Sequence, residues 1–84
     1  MKTNKLIVAV DYDGTYSEDP EAFDHVISEL RSRGHECIMV TARDKVVSPV
    51  WVNPSMELNV YYTSGALKDP YLTEKHGINV DIWI

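Results

Sequence analysis

Leu6-Ile7-Val8-Ala9-Val10 is an unbroken apolar run, rich in β-branched residues, that stops at Asp11. It does not alternate with polar residues, so it predicts a strand covered on both faces, as in a parallel sheet between two layers. The period then changes. Phe23, Val26, Ile27 and Leu30 fall at i, i+3, i+4 and i+7, a single stripe along a helix. Asp19 is placed to cap that helix, Pro20 suits its first position and Glu21 complements its dipole. Arg31 and Arg33 fall in its last turn, and Gly34 closes it. A second apolar run, Cys37-Ile38-Met39-Val40, ends in Thr41. Strand, helix and strand between Leu6 and Thr41 make a βαβ unit, and the right-handed crossover sets the two strands parallel.

The pattern weakens between Arg43 and Asn59. Pro49 and Pro54 interrupt it, Val46 to Val52 is strand-like, and no helical period survives. The expectation is a loop or short hairpin with one helical turn near Ser55 to Leu58. Val60-Tyr61-Tyr62-Thr63 predicts a third strand, stopped by Ser64-Gly65. Asp69-Pro70 repeats the cap-and-proline start and predicts a short helix, Tyr71 to His76, closed by Gly77. In the tail, Ile78, Val80, Ile82 and Ile84 alternate with Asn79, Asp81 and Trp83, predicting a fourth strand.

Composition adds bounds. Eighty-four residues make one domain, and 44% hydrophobic with 25% charged residues are ordinary globular values. Thirteen acids against eight bases give a net charge of -5, which disfavours a broad nucleic-acid interface without excluding a local basic spot. The lone Cys37 forms no internal disulfide and is expected to be a small apolar core residue. Leu6 to Val10 is too short for a signal-peptide core or a membrane span. A soluble, cytoplasmic protein is expected.

In open parallel sheets, ligands bind at the carboxyl ends of the strands. Those ends bring Asp11 and Asp13 from strand one, Thr41 and Arg43 from strand two, and Thr63 and Ser64 from strand three, with Lys68 ahead of the last helix. Carboxylates hold Mg²⁺, while hydroxyl, amide and ammonium groups bind phosphoryl oxygens, so the rim suits phosphate. Each residue has a plainer reading. Asp-Gly after a strand is a common turn, and Lys68 alone is a solvated loop lysine. Lys75, the competing lysine, sits late in its helix and complements the dipole. A calcium loop fits poorly, because the fifth and sixth positions from Asp11 are Thr15 and Tyr16. His25, His35 and His76 share no metal-ligand spacing, and Trp51 is the best candidate for a protein-partner contact.

Asp11-Tyr12-Asp13-Gly14-Thr15 after an apolar strand resembles the first motif, DxDGT, of the haloacid dehalogenase (HAD) superfamily of phosphohydrolases. Val40-Thr41-Ala42-Arg43 resembles its second motif, Lys68 its motif-three lysine, and Val80 to Ile84 the strand leading into its fourth. The wording is similar to small capless HAD-like proteins of phages and bacteria, and only residues 44 to 58 carry none of it. The resemblance implies a three-layer Rossmann-like α/β domain with a mainly parallel four-stranded sheet, strand four beside strand one, then two and three. It implies that Asp11 is the nucleophile, forming an aspartyl-phosphate, and that Asp13 is general acid and then base. A carboxylate beside another can have a raised pKa, which would suit Asp13 to that double role. The Asp11 side chain and the Asp13 carbonyl would bind Mg²⁺, Thr41 would hold the phosphoryl group, and Lys68 would offset the charge around the nucleophile. Gly14 and Thr15 would form the substrate-side turn. Arg43 would contact phosphate or pair with Asp44 or another nearby acid.

Family members place one or two further acids after the strand that here reaches Ile84, so residues 1–84 read as a domain ending before that fourth acidic motif. Asp81 falls near the start of the strand, at the wrong end to substitute. Two functions follow from the resemblance. One is a Mg²⁺-dependent phosphomonoester hydrolase acting on a phosphorylated small molecule or a macromolecular phosphate. The other is a catalytically inactive HAD-like binding module, a phage protein that binds a host protein or a nucleotide. A phospho-acceptor receiver domain is disfavoured, being larger by a strand and a helix and lacking DxDGT. A homodimer would be one way for so small a sheet to bury apolar surface.

Overall fold

In the computed structural model, which describes residues 4–84, four strands form one all-parallel sheet. They are β1 (Ile7–Asp11), β2 (Glu36–Thr41), β3 (Val60–Tyr62) and β4 (Ile82–Trp83), in the order β3-β2-β1-β4. Successive strand residues point to opposite faces, and both faces of β1 and β2 are apolar. Val8, Val10, Cys37 and Met39 face one layer, while Ala9, Ile38 and Val40 face the other. The fold is a small Rossmann-like α/β domain of three layers.

Helix α1 (Pro20–Ser32) covers the first face. Asp19 caps it, its carboxylate accepting from the Ala22 N–H at 3.2 Å. Ile27 is buried and Phe23 and Leu30 are half-buried, but Val26, at 43% exposure, lies at the outer margin of the stripe. The second face is covered by α2 (Lys68–Tyr71), which widens directly into a π-helical turn, Leu72–His76, carrying the buried Leu72. The helix starts earlier than its Asp69-Pro70 signal predicts, because the N–H groups of a first turn have no intrahelical partner and proline is tolerated anywhere among them. Gly77 closes the turn with φ at 65°, a left-handed conformation that glycine adopts without strain.

One further expectation is corrected. The fourth strand does not extend from Ile78. The Ile78 N–H bonds to the Leu72 carbonyl at 3.1 Å, drawing that segment onto the helix end, where Ile78 and Val80 pack on the second face. Asp81 exchanges bonds with Ile7 at the amino end of β1, through its N–H and its carboxylate, both at 2.8 Å. The ladder then continues from the Ile84 N–H to the Ala9 carbonyl (2.9 Å) and from the Asp11 N–H to the Ile84 carbonyl (2.8 Å).

Of the loop and the short hairpin expected between Arg43 and Asn59, the loop is the one observed, and the strand-like stretch Val46 to Val52 forms no strand. The Asp44 carboxylate accepts from the Val46 and Val47 N–H groups at 2.9 and 3.0 Å and folds the chain into a turn. A single 3-10 turn, Pro54–Met56, follows, its start capped by the Asn53 side chain at 3.1 Å. Val52, Met56 and Leu58 pack beside α1 on the first face, where the connection from β2 to β3 acts as a strap. Among the described residues no helix is long and apolar enough to cross a membrane.

Candidate functional site

The parallel arrangement aligns the carboxyl ends of β1, β2 and β3. The chain leaves β1 toward the first face and leaves β3 toward the second, and the loops that diverge there form the rim. Asp11 is the last residue of β1, and its backbone is held by Ile84. Lys68, the first residue of α2, reaches across and donates from Nζ to Asp11 Oδ1. Both side chains keep about a third of their surface exposed, 35% for Asp11 and 28% for Lys68.

Beyond Asp11 the chain turns sharply. The Tyr12 carbonyl accepts from the Thr15 and Ser17 N–H groups at 3.2 and 3.0 Å, and the Gly14 N–H donates to Ser17 Oγ at 3.1 Å. Gly14 sits at φ 76°, where a side chain would be strained. Asp13 is thereby thrown outward and meets Arg43 from the turn after β2. The guanidinium fork grips it with Nε at 3.2 and 2.9 Å from the two carboxylate oxygens and Nη2 at 2.6 Å from Oδ1. Arg43 is itself positioned. It lies over the Tyr12 ring, 5.0 Å from the centroid, and Nη1 donates to Ser48 Oγ and to the Pro49 carbonyl, each at 3.3 Å.

The electrostatics of Asp13 overturn one expectation. The Arg43 hydrogen bonds, then the charges of Arg43 and Lys68, hold its carboxyl below the ordinary carboxylate range. Repulsion from Asp11 would have raised it, but each acid has its own cation. Arg43 therefore pairs with Asp13 and not with Asp44, whose carboxylate is occupied by Val46, Val47 and the Ser64 hydroxyl. Those same groups lower the Asp44 pKa.

Thr41 is buried at the end of β2, where its hydroxyl accepts from the Arg43 N–H at 3.2 Å and keeps its proton for another partner. Thr63, also buried, donates instead to the Ala66 carbonyl at 2.9 Å, which makes it part of the loop after β3. Asp11, Asp13, Arg43 and Lys68 are thus gathered into two ion pairs on one rim, with Gly14 and Thr15 in the turn after β1 and Thr41 at the end of β2. Lys75 lies in the last turn of the π-helical segment, and His35 accepts from the Leu6 N–H at 3.1 Å.

Among the described residues no group of three His, Cys, Asp or Glu side chains could hold a metal ion. The Asp11 carboxylate and the Asp13 carbonyl are nonetheless hard oxygen donors, and that carbonyl accepts no hydrogen bond among the described residues. Such a pair fits Mg²⁺, which keeps most of its waters and is completed by substrate phosphate.

Tyr16, Asp24 and Asn53 escaped the sequence reading. Tyr16 is completely buried, donates to Asp24 Oδ1 at 2.7 Å and accepts from the Asn53 N–H at 3.2 Å. Asn53 Nδ2 reaches Asp24 Oδ2 at 3.2 Å. This network fastens the strap to α1 and to the loop after β1, and Tyr12 stacks on Tyr16 at 6.2 Å. A tyrosine in a polar loop gives no local sign of such a role. Comparison with protein-family models, curated proteins and solved structures found no match to this chain.

Proposed function

We propose that the chain is a phosphomonoester hydrolase of the HAD type, working through Asp11. The observation that supports this reading is the meeting of Asp11 and Lys68 at the carboxyl end of a central parallel strand, with Thr41 buried at the end of the neighbouring strand. An Asp11 oxygen attacks phosphorus, and the bond to the leaving alcohol breaks as the aspartyl-phosphate forms. Water then attacks phosphorus, the bond to Asp11 breaks and inorganic phosphate departs. Lys68 balances negative charge at the nucleophile, and the Thr41 hydroxyl donates to a phosphoryl oxygen. The Asp11 carboxylate and the Asp13 carbonyl would hold Mg²⁺, which supplies positive charge for the phosphoryl oxygens when bound.

Asp13 can protonate the leaving oxygen only after Arg43 lets go. A phosphoryl group offers the same bidentate acceptor as a carboxylate, so an entering substrate competes for the guanidinium fork. The tightness of this pair also favours a second reading, a non-catalytic module that binds a phosphorylated ligand or a protein partner through the same rim.

The test is hydrolysis of p-nitrophenyl phosphate with Mg²⁺, with EDTA, and by Asp11→Asn. Under the hydrolase reading, Asp11→Asn lowers turnover by about a thousandfold or more, and EDTA lowers it as well. No turnover above background from folded protein rejects that reading and leaves the binding module.

A further inference from the structure

An open cleft of about 360 Å³ lies along the outer edge of β3, distinct from the rim itself. One wall is the turn Asp44 to Val46, the floor is Val60 to Tyr62, and the far wall is Tyr71 and His76, with Ser64 at the end nearest the rim. Three rings meet there. His76 stands edge-on to Tyr61 at 4.8 Å, with 67° between the planes, and tilted against Tyr71 at 5.5 Å. His76 is exposed although it is packed against two aromatics, so this cluster presents ring surface to solvent. The opposite wall carries hydrogen-bonding groups, Lys45 and the Asp44–Ser64 pair at 3.2 Å.

We propose that this cleft seats the nucleoside part of a mononucleotide, its base against the Tyr61, Tyr71 and His76 rings. A heterocycle has a flat π-face and an edge of donors and acceptors, which matches one aromatic wall and one polar wall. A plain hydrocarbon would leave the polar wall unused. The cleft is also correctly placed relative to the rim. β3 is two strands from β1, about 10 Å at ordinary inter-strand spacing, a span comparable with a whole mononucleotide from its phosphorus to the far edge of its base. Asp44 directly follows Arg43 in the turn after β2, so on that side the cleft begins one residue beyond the rim. That the nucleoside is the leaving group rests on the phosphoryl-transfer reading; its seat in the cleft does not.

Binding is followed by amide and ring NMR shifts on the full chain, with adenosine, inorganic phosphate, adenosine monophosphate and glycerol phosphate as probes. Adenosine is expected to shift Tyr61, Tyr71 and His76. The monophosphate is expected to bind more tightly than adenosine, phosphate or glycerol phosphate. His76→Ala, an exposed position, should lower the ratio of monophosphate to phosphate affinity by about tenfold, the worth of one stacked ring. Adenosine shifts without any phosphate binding uphold the cleft and reject the phosphoryl reading of the rim. Phosphate binding with no adenosine shift overturns the cleft alone. An unchanged ratio in folded His76→Ala, or glycerol phosphate binding as tightly as the nucleotide, also overturns it.

Discussion

Asp13 and Arg43 show how a single pairing can redefine a site. Two acids two positions apart suggest mutual repulsion, yet the cation that settles the matter comes from thirty residues away. A folded-state pKa held below the unfolded value of about 3.9 contributes stability above about pH 4, which is lost as pH falls through the folded value. Arg43→Ala is therefore expected to lower the urea midpoint near pH 7, and the gap from the parent protein should narrow toward about pH 2. Asp13 is exposed, so the effect is small. A gap that stays constant from pH 7 to pH 2 would show that Arg43 acts through Tyr12, Ser48 and Pro49 instead. Tyr16 makes the complementary point. Its partners lie on α1 and the strap, and no spacing rule links residues 16, 24 and 53.

At the scale of elements, legibility followed locality. The first helix was readable because its cap, its proline and most of its stripe lie within one short segment. Asp19→Ala is expected to cost about 1 kcal/mol in chemical denaturation, through loss of the bond to the Ala22 N–H. Asp19→Asn should retain most of that stability. The second helix was found but misplaced, since Asp69-Pro70 is equally at home inside a first turn. In the tail, alternation at Ile78 and Val80 reflects packing on the second face, while pairing with β1 is limited to the last few residues. The strap was the least legible element, because polar bonds to distant residues hold it where a helix would have shown a period. Nothing local joins residues 11 and 68; their meeting was legible from topology, which gathers strand ends on one rim, and the resemblance supplied their roles.

At the scale of the molecule, the second face is the thinner one. Its fully buried side chains are Ala9, Ile38, Val40 and Leu72, and Leu72 is the one contributed from outside the sheet. Leu72→Ala is expected to remove roughly 2–5 kcal/mol, against a total of about 0.05–0.15 kcal/mol per residue for a domain of this kind. Circular dichroism should then show a large unfolded fraction at room temperature. A loss below about 1 kcal/mol in urea titration would mean that Tyr61, Tyr71, Ile78 and Val80 close over the gap.

The bond from the Asp11 N–H to the Ile84 carbonyl has a consequence for timing. Of the four strands described, β1 is translated first and β4 last, yet the residue carrying the proposed nucleophile is fixed by both. While the chain emerges, β1 can pair with β2 as soon as the first crossover is made, but its other edge stays open until β4 is synthesised. Asp11 would therefore reach this setting only after β4 has been synthesised. Maturation of the rim would report the pairing of β4 with β1, and a nascent chain stalled before β4 would carry the acids without the frame that aims them.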